Sequence, residues 1–240
     1  MFSVYPQMSK TALNLIAILV FVMTLSVLLG PLFNLSPVVP AIATASILGL
    51  ATLDTFTWQG QGSNLLLDWL AGFSPEHRSR IVRHEAGHFL VAHLLGIPVT
   101  SYTLSAWEAY KQGHSGQGGV TFDDRELAFQ LEQGTLSAHL LNRYGTVWMA
   151  GVAAETLVYG NAEGGAEDRE KLATVLMKLK GSFTSFPQQE RSFTLQARTL
   201  LQANWMCYEA LVAAMEQRSP VTECYRIVAQ HSPIASDVQK

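Results

Sequence analysis

The chain has 240 residues, 15% of them charged, and a formal net charge of −3. That falls short of the roughly one quarter charged residues usual in soluble domains, and the shortfall is local: residues 1–60 hold only Lys10 and Asp54. The distribution argues against a simple one-domain soluble protein, and the absence of any long block of like charges argues against a nucleic-acid-binding surface.

The first predicted elements are two apolar helices. Residues 12–33 (ALNLIAILVFVMTLSVLLGPLF) supply the ~20 apolar residues that a membrane-spanning helix needs, with Asn14 the one strongly polar residue among them. Gly30-Pro31 ends the run. Residues 37–57 form a second, weaker candidate, rich in the small residues that allow close helix packing. The short link from Pro31 to Pro37 makes the pair a transmembrane hairpin. A cleaved secretory signal ending near Ala43-Thr44-Ala45 is the alternative. The link carries no Lys or Arg, whereas Lys10 precedes the first span and Arg78, Arg80 and Arg83 follow the second. By the positive-inside tendency, both ends face the cytoplasm or its plastid equivalent, the stroma.

The expected fold is therefore mainly α with a small β-sheet: a membrane hairpin over 1–60, then one mostly helical domain over 61–240. Residues 64–72 read as a short amphipathic link. Ser74-Pro75-Glu76 has the N-cap, proline and first-turn acid of a helix start, and Gly96 with Pro98 marks its end after Leu95. Residues 97–105 read as a strand, 107–118 as a Gly- and Gln-rich loop, and Gly119–Phe122 as a second short strand. Helices are expected over 125–133, 135–160, 167–180 and about 188–217, and a last one opens at Ser219-Pro220. Cys207 and Cys224 have neither paired-ligand spacing nor the density of a disulfide framework.

The chemistry lies in His84-Glu85-Ala86-Gly87-His88. Positions i and i+4 share one face of a helix, so His84 and His88 can bind one Zn²⁺ and leave a position for water. Glu85 follows the first histidine and is the natural general base. The flanking Ile81, Phe89, Leu90, Ala92 and Leu94 are apolar, so the site is expected to be partly buried. Ala86 and Gly87 leave room for another segment to approach. His93 is out of phase with His84, and His77 is in phase but about 10 Å away along the axis.

A catalytic zinc calls for a third protein ligand. The buried face of the helix over 167–180 should be Leu172, Val175, Leu176 and Leu179. Asp168 is four residues before Leu172 on that face, and a carboxylate there is either a ligand or a buried cost. Glu167 is in phase with Lys171 and should face water. Asp168 is thus the expected third ligand; plain helix capping by Asp168, or ligation by Glu155 or Glu163, are the alternatives. Glu155 stands in an otherwise apolar helix and suits a supporting hydrogen bond to a zinc histidine.

HEAGHFLVAHLLG, the strand GQGGVTF, AGVAAETLVYG and EGGAEDREKLAT, in that order over roughly residues 76–215, resemble the peptidase domain of FtsH-type membrane zinc metalloproteases. Two preceding spans are also a family feature. The resemblance implies a zincin-like domain with zinc on His84, His88 and Asp168, Glu85 as base, and hydrolysis of membrane or misfolded proteins. The chain departs from the family twice. The family's aspartate stands five residues before the Thr of an Ala-Thr pair; here that place holds Arg169, with Asp168 one position earlier. The family's ATPase module is absent, because no G-x-x-x-x-G-K-[ST] occurs. The chain looks like a stand-alone relative of the cyanobacterial and plastid type.

Three functions follow as expectations. The first is a membrane-anchored, ATP-independent zinc endopeptidase acting on protein or peptide substrates, with an extended substrate pairing along the Gly119–Phe122 edge. The second is a non-proteolytic scaffold or assembly factor. The third is an intramembrane protease, disfavoured by Glu76, Arg78, Arg80 and Arg83 on the zinc helix. The partners expected are FtsH-type ATPase-proteases or a second copy of the chain.

Overall fold

The computed structural model describes residues 10–34, 36, 38–57, 74–111, 113, 118–179 and 186–231. Over these residues the chain is mainly helical, with one two-stranded antiparallel sheet. Spatial proximity divides it into two units, Met1–Ser74 with Ser105–Gly118, and Pro75–Leu104 with Gly119–Lys240. The amphipathic link expected over 64–72 lies outside the described residues.

In the first unit, α1 (Lys10–Leu29) and α2 (Val38–Thr57) are joined through a 3-10 turn at Gly30–Phe33. Asn34 adopts a positive φ of 53° where the chain reverses, a conformation that asparagine tolerates better than most residues. The helices pack as a hairpin, with the Thr44 hydroxyl 3.7 Å from Met23 Sδ. Among the described residues, no helix is long and apolar enough to cross a membrane. α1 and α2 form a helical hairpin. The same unit contains α4 (Ala106–Lys111), where a loop was expected from the Gly and Gln content of 107–118. The helix forms because AWEAYK lacks glycine and proline, and Ser105 Oγ accepts the Glu108 N–H at its start. The glycines begin only at Gly113.

The second unit is built around α3 (Pro75–Leu94), which ends as expected. Gly96 takes φ +70°, its N–H bonds the His93 carbonyl, and the Ile97 N–H returns to the Ala92 carbonyl. The Arg143 guanidinium then binds the Leu95 and Gly96 carbonyls, each at 2.8 Å. β1 (Val99–Thr103) pairs with β2 (Gly119–Phe122), with Tyr102 opposite Val120 and Thr103 opposite Gly119. α5 (Arg125–Glu132) follows. The single helix expected over 135–160 is two, α6 (Ala138–Trp148) and α7 (Ala150–Tyr159), meeting at the buried Met149. Ser137 Oγ caps α6 by accepting the Leu140 N–H, which starts it later than expected.

α8 (Ala166–Lys178) leads to α9 (Phe186–Ala203), α10 (Trp205–Glu216) and α11 (Val221–His231). The long helix expected over 188–217 breaks at Asn204. Its side-chain amide bonds the Leu200 carbonyl, and its N–H is shared between Leu200 and Leu201. Such back-bonding side chains compete with the regular ladder and bend helices. The apolar face survives the break, for Ala197, Leu201, Tyr208, Val212 and Met215 are all buried. These residues pack with Phe89 and Leu90 of α3, Leu140 of α6 and Leu172 of α8 in one core.

Candidate metal centre

α3 carries His84, Glu85 and His88 into the interior because the helix itself passes from the surface into the core along its length. The first turn is exposed, while every residue from His84 to Ala92 is buried. α7 crosses α3 closely, as the small residues Ala86 and Gly87 led one to expect. A Cβ on Gly87 would lie 2.8 Å from both the Ala150 carbonyl oxygen and the Ala154 Cβ, closer than real Cβ atoms come. Gly151 of α7 faces the His84 ring so tightly that any Cβ there would collide with it.

Each histidine is oriented through Nδ1. His84 Nδ1 lies 2.7 Å from Glu155 Oε1 on α7, and His88 Nδ1 lies 2.7 Å from the Val147 carbonyl of α6. A carboxylate and a carbonyl can only accept, so Nδ1 carries the proton in both rings. Nε2 is then the free ligating atom of each neutral imidazole. Both Nε2 atoms converge on Asp168 Oδ2, at 3.2 Å from His84 and 3.3 Å from His88. His84, His88 and Asp168 form a buried three-ligand group whose donor atoms all lie within 4.8 Å of one another, and it could hold a metal ion. With zinc–ligand bonds of 2.0–2.1 Å, ligands at tetrahedral corners stand about 3.3 Å apart, the separation seen here between each histidine and the aspartate.

Asp168 reaches the site from the first turn of α8. Gly165 precedes that helix at φ +87°, and Asp168 is buried while Glu167 is exposed. The helical phase thus assigns the two acids as the sequence led one to expect. Lys171 Nζ stands 3.6 Å from the other Asp168 oxygen. Arg169, next to Asp168 in the chain, turns instead to α9 and binds Glu190 at 2.7 Å.

Glu155 is a supporting group rather than a member of the cluster. Its oxygens accept the backbone N–H groups of Glu163 and Gly164 and the His84 ring, and Arg80 stands 3.5 Å away. Arg80 is itself held over the Tyr159 ring at 4.1 Å. Burial alone would raise the Glu155 pKa, yet the His84 hydrogen bond and the two backbone donors bring it below its ordinary value. Burial likewise opposes an ionised Asp168, but the two histidines hold it well below the usual carboxylate range. For His84, burial favours the neutral ring. Hydrogen bonds to Asp168 and Glu155 outweigh it in the metal-free chain and push the pKa up to about 10.

Glu85 is buried beside its two histidines and accepts the Val120 N–H of β2 at 2.9 Å. Glu163, the exposed alternative ligand, takes no part in the cluster and interacts with Arg80 at 4.0 Å. The sequence reading weighed Glu155 but passed over Arg80, whose only signal was its place one turn before His84. The Val120 N–H and Val147 carbonyl are backbone groups that carry no residue signature. Comparisons of the chain with family models and with curated proteins find no match.

Proposed function

We propose that this chain is a membrane-anchored zinc metalloendopeptidase of the FtsH type, whose cleavage does not depend on ATP. The observation that carries the reading is the convergence of His84 Nε2, His88 Nε2 and Asp168 Oδ2 in one buried cluster, with Glu85 adjacent on the same helix. Two imidazoles and a carboxylate suit zinc among the common divalent metals. When bound there, zinc would polarise the scissile carbonyl and make a water molecule acidic.

Glu85 then takes a proton from the attacking water as its oxygen bonds to the carbonyl carbon, and returns that proton to the amine as the C–N bond breaks. Glu155, braced by Arg80, holds His84 in the orientation that keeps Nε2 free. The Val147 carbonyl does the same for His88. An extended peptide would add a strand along β2; in support of this, β2 pairs with β1 on one side and its Val120 N–H bonds Glu85.

The membrane part of the proposal rests on the hairpin. Each helix has 20 residues, which at 1.5 Å per residue is about 30 Å, the thickness of a bilayer core. Ile18, Phe21, Leu28, Ile42, Leu48 and Phe56 are exposed on the chain alone. The Thr24, Ser26, Thr44 and Thr52 hydroxyls bond carbonyls four residues back, at 2.7–2.8 Å, so they need no water. The peptidase unit would stand on the cytoplasmic or stromal side.

The test is cleavage of casein by the detergent-purified full chain, with and without ATP, for wild type and Glu85→Gln. We expect cleavage that ignores ATP and falls by about 10²–10⁴-fold on substitution, the usual contribution of a general base. A wild-type chain that cuts nothing, together with Glu85→Gln restoring function in cells lacking the protein, would replace the enzyme by a scaffold.

A further inference from the structure

The connection between β1 and β2 does not group with the peptidase unit. Residues Ser105–Gly118, including α4, belong to the same compact unit as the helical hairpin. Within α4 the two faces differ in kind. Ala106 and Ala109 are buried, whereas Trp107 and Tyr110 are each more than half exposed. The two rings stack, with centroids 5.9 Å apart and planes 20° from parallel, and Lys111 Nζ lies 5.2 Å over the Trp107 ring.

Two large rings displayed on one short helix and topped by a cation suit the polar–apolar boundary of a bilayer. There Trp and Tyr place an apolar body in the acyl region and a polar tip among headgroups, and a lysine reaches outward to phosphate. The hairpin, which belongs to the same unit, exposes many Ile, Leu, Val and Phe side chains, so lipid is the occupant consistent with both surfaces. We propose that α4 is a membrane-interface anchor, with Trp107 and Tyr110 seated in the headgroup region and Lys111 toward lipid phosphate. This proposal rests on the membrane reading of the hairpin.

The test uses the full chain reconstituted in phosphatidylcholine vesicles, with an environment-sensitive fluorophore on one introduced cysteine. The native Cys207 and Cys224 are buried and remain unlabelled. Three sites are compared: Lys111→Cys, which keeps both rings, Ile42→Cys in α2, and Met206→Cys on the exposed side of α10. Lipids carrying shallow or deep doxyl quenchers report depth, and iodide reports water. We expect deep quenching at 42, shallow quenching with a blue-shifted emission at 111, and iodide quenching alone at 206. Replacing both Trp107 and Tyr110 by Ala should then return the label at 111 toward the behaviour of 206. A label at 111 that matches 206 while 42 is quenched overturns the anchor and leaves the hairpin reading standing. Absence of lipid quenching at 42 overturns the membrane reading, and the anchor with it.

Discussion

Glu155 and Arg80 support the His-His-Asp cluster without belonging to it. The His84 ring is fixed between Glu155 on one nitrogen and Asp168 on the other. Partners of this kind are typically worth 10–100-fold in metal affinity. Glu155→Gln should therefore weaken zinc binding by roughly that range in a chelator competition, while Glu163→Gln, which lies outside the His-His-Asp cluster, should bind as wild type does. Equal losses in the two variants would remove Glu155 from its supporting role.

The same residues set a pH dependence. In the metal-free chain the folded pKa of His84 is raised to about 10 from an ordinary 6.5. Its contribution to stability is complete below about pH 6.5 and is lost as pH rises toward 10. Asp168 is depressed below its ordinary 3.8, so its contribution is present above that value and is lost as pH falls through the lower folded value. Zinc and the proton compete for His84 Nε2, so zinc binding strengthens as pH rises. The gain in melting temperature on adding zinc should grow from pH 6 toward pH 9, and a gain that shrinks would contradict this assignment.

At the scale of elements, the site depends on the crossing of α3 and α7. Gly87→Ala places a methyl 2.8 Å from a backbone carbonyl oxygen and from the Ala154 Cβ. Neither is a flexible side-chain end, so the helices must separate, at a cost of about 1–3 kcal/mol. Thermal unfolding of the metal-free variant should show this loss, and an unchanged melting temperature would mean that the crossing is looser than described.

Much of this arrangement was legible in the sequence. The helix of the two histidines announced itself by proline at its start, glycine at its end and an apolar run around the histidines. Asp168 was separable from Glu167 by phase alone, because Leu172 and Val175 mark the buried face of α8. The break at Asn204 was not legible, since it comes from a side chain bonding its own helix while the apolar stripe continues across it. α4 was hidden for the opposite reason: the glycines that follow it made the whole connection look irregular. Arg80 was counted only as a charge, because its partners lie some eighty residues away at Glu155, Tyr159 and Asn161.

For the molecule as a whole, the account joins a helical hairpin to a unit with a buried His-His-Asp cluster. If the hairpin spans a membrane with both ends on one side, a cysteine introduced at Asn34 should react with an impermeant reagent from the side opposite to one at Met206. Reaction of both from one side would contradict the hairpin topology. The central claim is the zinc centre itself, and metal content of the purified chain tests it most directly. We expect about one zinc per wild-type chain, in keeping with a single three-ligand site, retained in Glu85→Gln and in Glu167→Gln and lost in Asp168→Asn. A wild-type chain free of zinc after supplementation, or an Asp168→Asn chain that keeps its full complement, would contradict the account.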